Sequence, residues 1–255
     1  MAALTGGATV LRVHGIETKR ATVALALLTT LSAGPSLLAQ SSTNLGVELR
    51  AKEIERRLAA IDQVAAAGDA SGAKLLQPFL RDKDWEIQER IAQALGLLGD
   101  ASSLTKLVDL AVDGDVVRVR RAAAFAVGRI DAAEGAERIH KKAKGKREVQ
   151  ALEALALVLR GRAPFEDIDE IEKLLTDEDA ALREAAALAW LEGAPDRAVA
   201  LFALIHSPHI VVRCRALDAV AEAPRPADLE PLARAFGGEG QNEVVARRIV
   251  RALAA

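Results

Sequence analysis

The single cysteine, Cys214, is the first residue whose side chain could act chemically. Arg213 and Arg215 flank it, and neighbouring guanidinium groups favour the reactive thiolate. The sequence places no histidine or acid as its base, and adjacent residues of a helix point in different directions. Three interpretations of Cys214 stay open: a catalytic nucleophile, a thiol that forms an intermolecular disulfide or holds a ligand, and a small residue that is merely tolerated. The third is the simplest. One cysteine excludes an intramolecular disulfide and any multi-cysteine metal site.

Two histidines, His206 and His209, stand three residues apart in the segment LIHSPHI, which has the pattern of a turn between helices. Two ligands in a turn do not complete a metal site. The 255 residues contain no His-Glu dipeptide, no phosphate-binding glycine loop and no Gly-x-Ser-x-Gly elbow. The sequence therefore indicates no catalytic residue, no metal site and no cofactor, and we expect a protein that is not an enzyme.

The charged residues are distributed unevenly. Residues 118–147 hold ten basic side chains and three acidic ones, whereas residues 163–200 hold eleven acidic and three basic ones. Such runs are either solvated helix faces that partly neutralise each other or a docking face for an acidic partner. The candidate binding residues are a tryptophan expected to be exposed at the start of a helix, directly after Asp84, and basic side chains of the first run: Trp85, Arg118, Arg121, Lys141, Lys142, Lys144, Lys146 and Arg147.

Residues 1–39 have the pattern of an export signal. Lys19 and Arg20 precede 19 uncharged residues, 21–39, which contain a Gly-Pro break and a candidate cleavage site with Leu37 at −3 and Ala39 at −1. Cleavage before Gln40 would leave 31 basic and 35 acidic residues, a net charge of −4. We expect a periplasmic or extracellular protein, or one anchored to the membrane by residues 21–39. The acidic balance argues against a nucleic-acid binder.

The chain as a whole is alanine- and leucine-rich, with 51% hydrophobic and 3% aromatic residues, which favours close-packed helices over sheets. Six segments align at spacings of 30 to 33 residues. Their first column holds Ile87, Val119, Val149, Leu182, Val212 and Val245, and seven residues later each has an alanine: Ala94, Ala126, Ala156, Ala189, Ala219 and Ala252. Apolar residues follow a helical period, so each segment is predicted to be a helix.

A second apolar helix precedes each of these segments, and the third such helix is the weakest, with only Ile139 and Ala143 as anchors. Residues 44–66 predict one further amphipathic helix within a capping region, residues 40–72. Helix starts are expected at caps Asp84, Asp115, Asp179, Asn242 and Ser207-Pro208, with a capping box from Asp167 to Glu170. Helix ends are expected at Gly99 and Gly128.

The segments DKDWEIQERIAQALGLLGD (82–100) and DGDVVRVRRAAAFAVGRID (113–131) resemble the HEAT repeat, and in particular its PBS-lyase HEAT-like variant. The resemblance implies an all-α fold over 73–255: a right-handed α-solenoid of about six helix pairs, with the second helices on the concave side. It also implies that Arg120, Arg183 and Arg213 tie adjacent repeats through carboxylates.

The family implies a binding scaffold, so we expect an exported, non-enzymatic protein that binds a protein partner, and the basic run favours an acidic one. The alternative is a subunit resembling the phycobilin lyases or another enzyme accessory protein. The export pattern and the absence of tyrosine oppose that alternative. The identity of the partner, the oligomeric state and the binding face stay open.

Overall fold

The computed structural model describes residues 44–236 and 242–255, and no β-strand occurs in them. The unit formed by residues 48–255 consists of paired helices. A leading helix, α1 (Ile54–Ala67), precedes six pairs. The first helices of the pairs are α2 (Ala70–Leu76), α4 (Leu104–Asp113), α6 (Ala132–Lys142), α8 (Ile168–Lys173), α10 (Arg197–Ile205) and α12 (Leu229–Phe236). Short 3-10 segments extend four of them: Gln77–Arg81, Ala101–Ser103, Leu174–Thr176 and Pro226–Asp228.

The second helices form a continuous row. They are α3 (Trp85–Leu98), α5 (Val117–Ile130), α7 (Glu148–Leu159), α9 (Ala180–Gly193), α11 (Ile210–Glu222) and α13 (Glu243–Leu253). Each packs on the next along the chain, and α1 packs on α3. Among the first helices, α4 packs on α6 and α10 on α12. The predicted all-α solenoid is confirmed.

Small residues set the spacing of the second helices. The six column alanines are at most 5% exposed, as expected for a position that lets helix backbones approach closely. The backbones of α3 and α5 lie close together at Gly96 of α3, where an added Cβ would lie 2.8 Å from Cα of Ala126 on α5. Trp190, predicted to be core, is 8% exposed and confirms that expectation.

Several predicted caps differ from the observed ones. Asp179 and Asn242 cap α9 and α13 through side-chain hydrogen bonds, as predicted. Asp115 and Ser207 do not cap: α5 follows Val116 and α11 follows His209. At Asp84 the helix begins as predicted, but the carboxylate binds Arg57 rather than a helix N–H. The predicted capping box at Asp167 is also absent.

Gly99 ends α3 with φ 66° and confirms the predicted stop, because glycine adopts this left-handed conformation without strain. Gly128 does not end a helix, since α5 runs on to Ile130 and buries this glycine. The prediction of one helix over 44–66 is wrong, because residues 49–53 are not helical. There the buried Arg57 donates from Nε to the carbonyl of Leu49 at 3.2 Å and forms ion pairs with Asp82 and Asp84.

None of the described helices is long and apolar enough to cross a membrane. The predicted export or anchor segment, residues 21–39, lies outside the described residues. Whether it is cleaved stays a prediction.

The third first helix, α6, buries more than its sequence pattern indicated. Ala136 and His140 are buried beside the two predicted anchors, Ile139 and Ala143. These side chains are still small or polar, whereas α7 buries Leu152, Leu155 and five further apolar residues. Unequal burial predicts unequal local stability.

We therefore expect amide hydrogens of α6 to exchange at least tenfold faster than those of α7. A tenfold ratio corresponds to a difference of about 1.4 kcal/mol between the free energies of local opening of the two helices. Hydrogen-exchange mass spectrometry of the native protein measures this, with α5 as an internal reference in the same layer as α7. Protection of α6 equal to that of α7 would contradict the prediction.

Candidate functional site

The second-helix face is the surface formed by outward side chains of α3, α5, α7, α9, α11 and α13. Near its N-terminal end, Trp85 is 36% exposed and lies under the guanidinium of Arg118, whose Cζ is 5.0 Å from the ring centroid. Arg118 also forms an ion pair with Glu89, with 3.4 Å between Arg118 Nε and Glu89 Oε2. These three side chains line a cavity of about 280 Å³ together with Leu58, Glu86, Arg90 and Gln93. The expected exposure of Trp85 is confirmed.

A narrow groove of about 100 Å³ lies in the middle of this face. Four successive second helices build it, so its walls come from four repeats. Leu157 of α7 and Leu188 of α9 are half-buried apolar side chains of its lining. Arg121 and Arg215 line it as well, and neither has a carboxylate partner within residues 44–236 and 242–255. The remaining lining residues are Val117, Glu153, Ala156, Arg160, Glu192, Ala219 and Glu222.

A third cavity, of about 440 Å³, lies between α11 and α13 at the C-terminal end of the face. Four arginines and two acids line it: Arg215, Arg247, Arg248, Arg251, Asp218 and Glu222. Arg215 and Glu222 also line the middle groove. The two cavities are therefore adjacent parts of one surface.

The lysine part of the predicted docking face belongs to the first-helix layer and to the turn after α6. Lys142 binds Asp109 at 3.0 Å and Asp113 at 3.1 Å, both on α4. The hydrogen bond that Lys142 donates to the Asp109 carboxylate raises the pKa of the Lys142 ammonium. Lys144 binds Glu170 of α8 at 3.1 Å, and Lys141 lies 3.9 Å from Glu137. Much of the lysine charge is thus neutralised by neighbouring first helices.

The eight predicted binding residues therefore fall into two groups. Trp85, Arg118 and Arg121 line cavities of the second-helix face. Lys141, Lys142 and Lys144 line cavities of the first-helix layer. Lys146 and Arg147 lie exposed in the turn between α6 and α7. Binding by any of them stays a prediction.

The Lys144–Glu170 pair gives a pH-dependent prediction. Hydrogen bonds from Lys144 and then from His140 lower the pKa of Glu170. A depressed carboxyl pKa contributes stability above the ordinary value of about 4.3, and the contribution is lost as pH falls through the folded-state pKa. In Lys144→Met we expect the Glu170 pKa to return towards its ordinary value, measured by carbon-detected NMR titration. Lys141→Met is the control, and an unchanged Glu170 pKa in Lys144→Met would contradict the assignment.

A cavity of about 520 Å³ lies between α6 and the segment that leads into α8. His140 lines it and is 7% exposed, with Nε2 at 3.1 Å from the Glu170 carboxylate and its ring edge against Phe165 at 5.3 Å between centroids. Its Nδ1 is buried without a hydrogen-bond partner. The lining mixes apolar side chains with three cations and three acids. His140 lies within the basic run of residues 118–147, and its burial could not be predicted from that pattern.

The arginine column acts only in part as the family resemblance implied. Arg120 donates to the carbonyl of Gly114, six residues earlier. Arg183 and Arg213 make the equivalent bond to Asp177 and Ser207, as does Gln88 to Asp82. Within the described residues, only Arg120 of the three arginines approaches a carboxylate of the next repeat, at 3.9 Å from Glu153. These side chains therefore stabilise the turn that precedes their own helix, by hydrogen bonds to its backbone carbonyl groups.

A network of charges around buried Glu192 ties the last four repeats instead. Glu192, with 2% of its side chain exposed, forms ion pairs with Arg160, Arg197 and Arg225. Arg197 also forms a two-pronged pair with Asp228, at 2.8 and 3.3 Å. Sequence reasoning counted Glu192 among solvated acids. One feature of the sequence could have indicated these pairs. Arg197 and Asp228 are 31 residues apart, and Glu192 and Arg225 are 33 residues apart, and each separation equals the length of one repeat.

The cysteine and turn histidines form no site with each other. Cys214 is half-buried and free, and His206 Nδ1 lies 2.7 Å from the carbonyl of Phe202. Across the two described ranges, no group of three or more His, Cys, Asp or Glu is arranged to hold a metal ion.

The family model described as HEAT repeats matches residues 44–128, which span α1 to α4 and most of α5. No curated protein matches the chain.

Several solved structures are similar to this chain. The complex of CpcE and CpcF of phycocyanin lyase from Nostoc sp. PCC7120 is 17% identical, with 82% of this chain and 92% of that chain covered and a TM-score of 0.45. Human deoxyhypusine hydroxylase in complex with glycerol is 19% identical, with 87% and 89% covered and a TM-score of 0.41. An engineered protein is 22% identical, with 83% and 94% covered and a TM-score of 0.35.

Proposed function

We propose that this HEAT-repeat protein is an exported, non-enzymatic scaffold that binds an acidic segment of a protein partner on its second-helix face. The observation that carries the proposal is the middle groove, where four repeats combine half-buried leucines with arginines that lack carboxylate partners. Apolar side chains supply contact area, and unpaired guanidinium groups supply specificity for acids. A stack of repeats presents such side chains over an extended surface.

A site-specific photo-crosslinker tests the binding face. The full chain, carrying benzoylphenylalanine in place of Leu157 in the groove, is irradiated in its native cell and purified by a C-terminal tag. We expect one discrete crosslinked protein species. The control carries the same group in place of Glu172, an exposed residue of first helix α8. Equal crosslinking at both positions, or none at Leu157, would overturn the proposed binding face.

Export is tested on the same tagged protein. We expect the purified chain to begin at Gln40 and to be recovered outside the cytoplasm, because residues 21–39 have the pattern of a cleaved signal. N-terminal sequencing distinguishes this from an intact chain in the membrane fraction, which would indicate an anchor. An intact chain in the cytoplasm would contradict export.

A further inference from the structure

The C-terminal cavity of the second-helix face has an excess of positive charge. Its lining contains four guanidinium groups and two carboxylates. Two of the arginines have acidic partners: Arg248 lies 3.1 and 3.2 Å from the two carboxylate oxygens of Asp218, and Arg247 pairs with Glu243 on its own helix. Arg215 and Arg251 have none in the described parts of the chain. Two guanidinium forks are therefore free to bind a ligand.

The positions of the arginines fit a ligand with several carboxylates. Arg247 and Arg251 are four residues apart on α13, so they lie one helical turn, or about 6 Å, apart on the same face. Arg215 lines the opposite wall, on α11. A guanidinium group binds a carboxylate through two parallel hydrogen bonds, which a lysine cannot reproduce. In the Arg248–Asp218 pair of this cavity, a single nitrogen, Nε, contacts both carboxylate oxygens.

The cavity continues into the middle groove, because Arg215 and Glu222 line both. A peptide lying along the groove would place its end among the arginines. Glu222 is exposed at this junction and has no cationic partner in residues 44–236 and 242–255. Its negative charge would oppose an acidic ligand, so it offers a variant that should strengthen binding.

We infer that the cluster of Arg215, Arg247 and Arg251 is the anchoring site for the acidic segment of the partner, and that Arg215 and Arg251 supply the contacts. This inference rests on the proposed function and assigns the acidic end of the segment to α11 and α13. Net affinity then depends on salt, because exposed charge pairs are screened.

Fluorescence anisotropy with a labelled peptide of eight glutamates tests the site on the native protein. We expect Arg215→Gln/Arg251→Gln to weaken binding by about tenfold, from two lost charge-assisted contacts that are partly screened. Arg234→Gln is the matched control, because Arg234 belongs to first helix α12 of the same repeat and is exposed. Glu222→Gln should tighten binding by about threefold, a gain that misfolding cannot produce.

Each outcome separates the site from the proposed function. An unchanged affinity in the double variant, or an equal loss in Arg234→Gln, would overturn the site. Weaker binding in Glu222→Gln would overturn it as well. Equal affinity for an eight-nucleotide single-stranded DNA would show a general polyanion surface and overturn the peptide assignment. A crosslinked partner at Leu157 whose yield is insensitive to Arg215→Gln/Arg251→Gln would leave the scaffold standing and reject only this anchor.

Discussion

Replacing Arg197 by methionine is expected to destabilise the protein by about 3–5 kcal/mol. The change leaves the carboxylate of Asp228, which is 2% exposed, without its two-pronged partner. It also removes one of the three cations around the buried Glu192. A buried carboxylate without a counter-charge costs far more than the lost attraction, because it stays desolvated. Urea denaturation followed by circular dichroism measures the change in the free energy of unfolding.

A double-mutant cycle separates the pair from its surroundings. We expect Asp228→Leu alone to be destabilising, partly because Asp228 also accepts the backbone N–H of Arg225 at 2.9 Å. The variant Arg197→Met/Asp228→Leu should be more stable than the sum of the single changes predicts, since no unpaired charge remains at that position. Arg234→Met, which breaks an exposed pair with Glu230, should change stability by less than about 1 kcal/mol. If the free-energy change of the double variant equalled the sum of the two single changes, the expected coupling between Arg197 and Asp228 would be contradicted.

The second large effect is expected at Gly96. The variant Gly96→Val should lose about 3 kcal/mol of stability, because its Cβ would lie 2.8 Å and 2.9 Å from Cα and Cβ of Ala126. Backbone atoms cannot move aside as a flexible side chain does, so α3 and α5 must separate. Separation would also stretch the bond from Arg129 Nε to the Gly96 carbonyl, now 3.1 Å. Thermal unfolding and urea denaturation measure the loss.

Leu97→Val is the matched control for this prediction. It places valine on the next residue of α3, where the side chain is 60% exposed. The change in helix propensity is less than about 1 kcal/mol, and no neighbour is displaced. Equal destabilisation by Gly96→Val and Leu97→Val would show that propensity rather than helix contact decides the outcome.

The candidate site was predictable only in part. The exposure of Trp85 followed from its place directly after a turn acid, and Arg118 and Arg121 from the start of a second helix. The middle groove was not predictable, because its leucines, Leu157 and Leu188, belong to different repeats and meet only when α7 packs on α9. For the same reason the sequence did not show that Arg215 lacks a carboxylate partner in the described residues, because ion pairing depends on side chains one repeat away.

The sequence by itself determined the repeat, the helical class and the buried alanine column, because these depend on local propensity and on a period that recurs every 30 to 33 residues. Tertiary structure decided which charges are satisfied. Lys142 and Lys144 lie in a basic run yet are neutralised by acids of α4 and α8, and Glu192 lies in an acidic run yet is buried among arginines. Electrostatic energy depends on distance and burial rather than on order along the chain, so only the stacked repeats reveal the unpaired arginines.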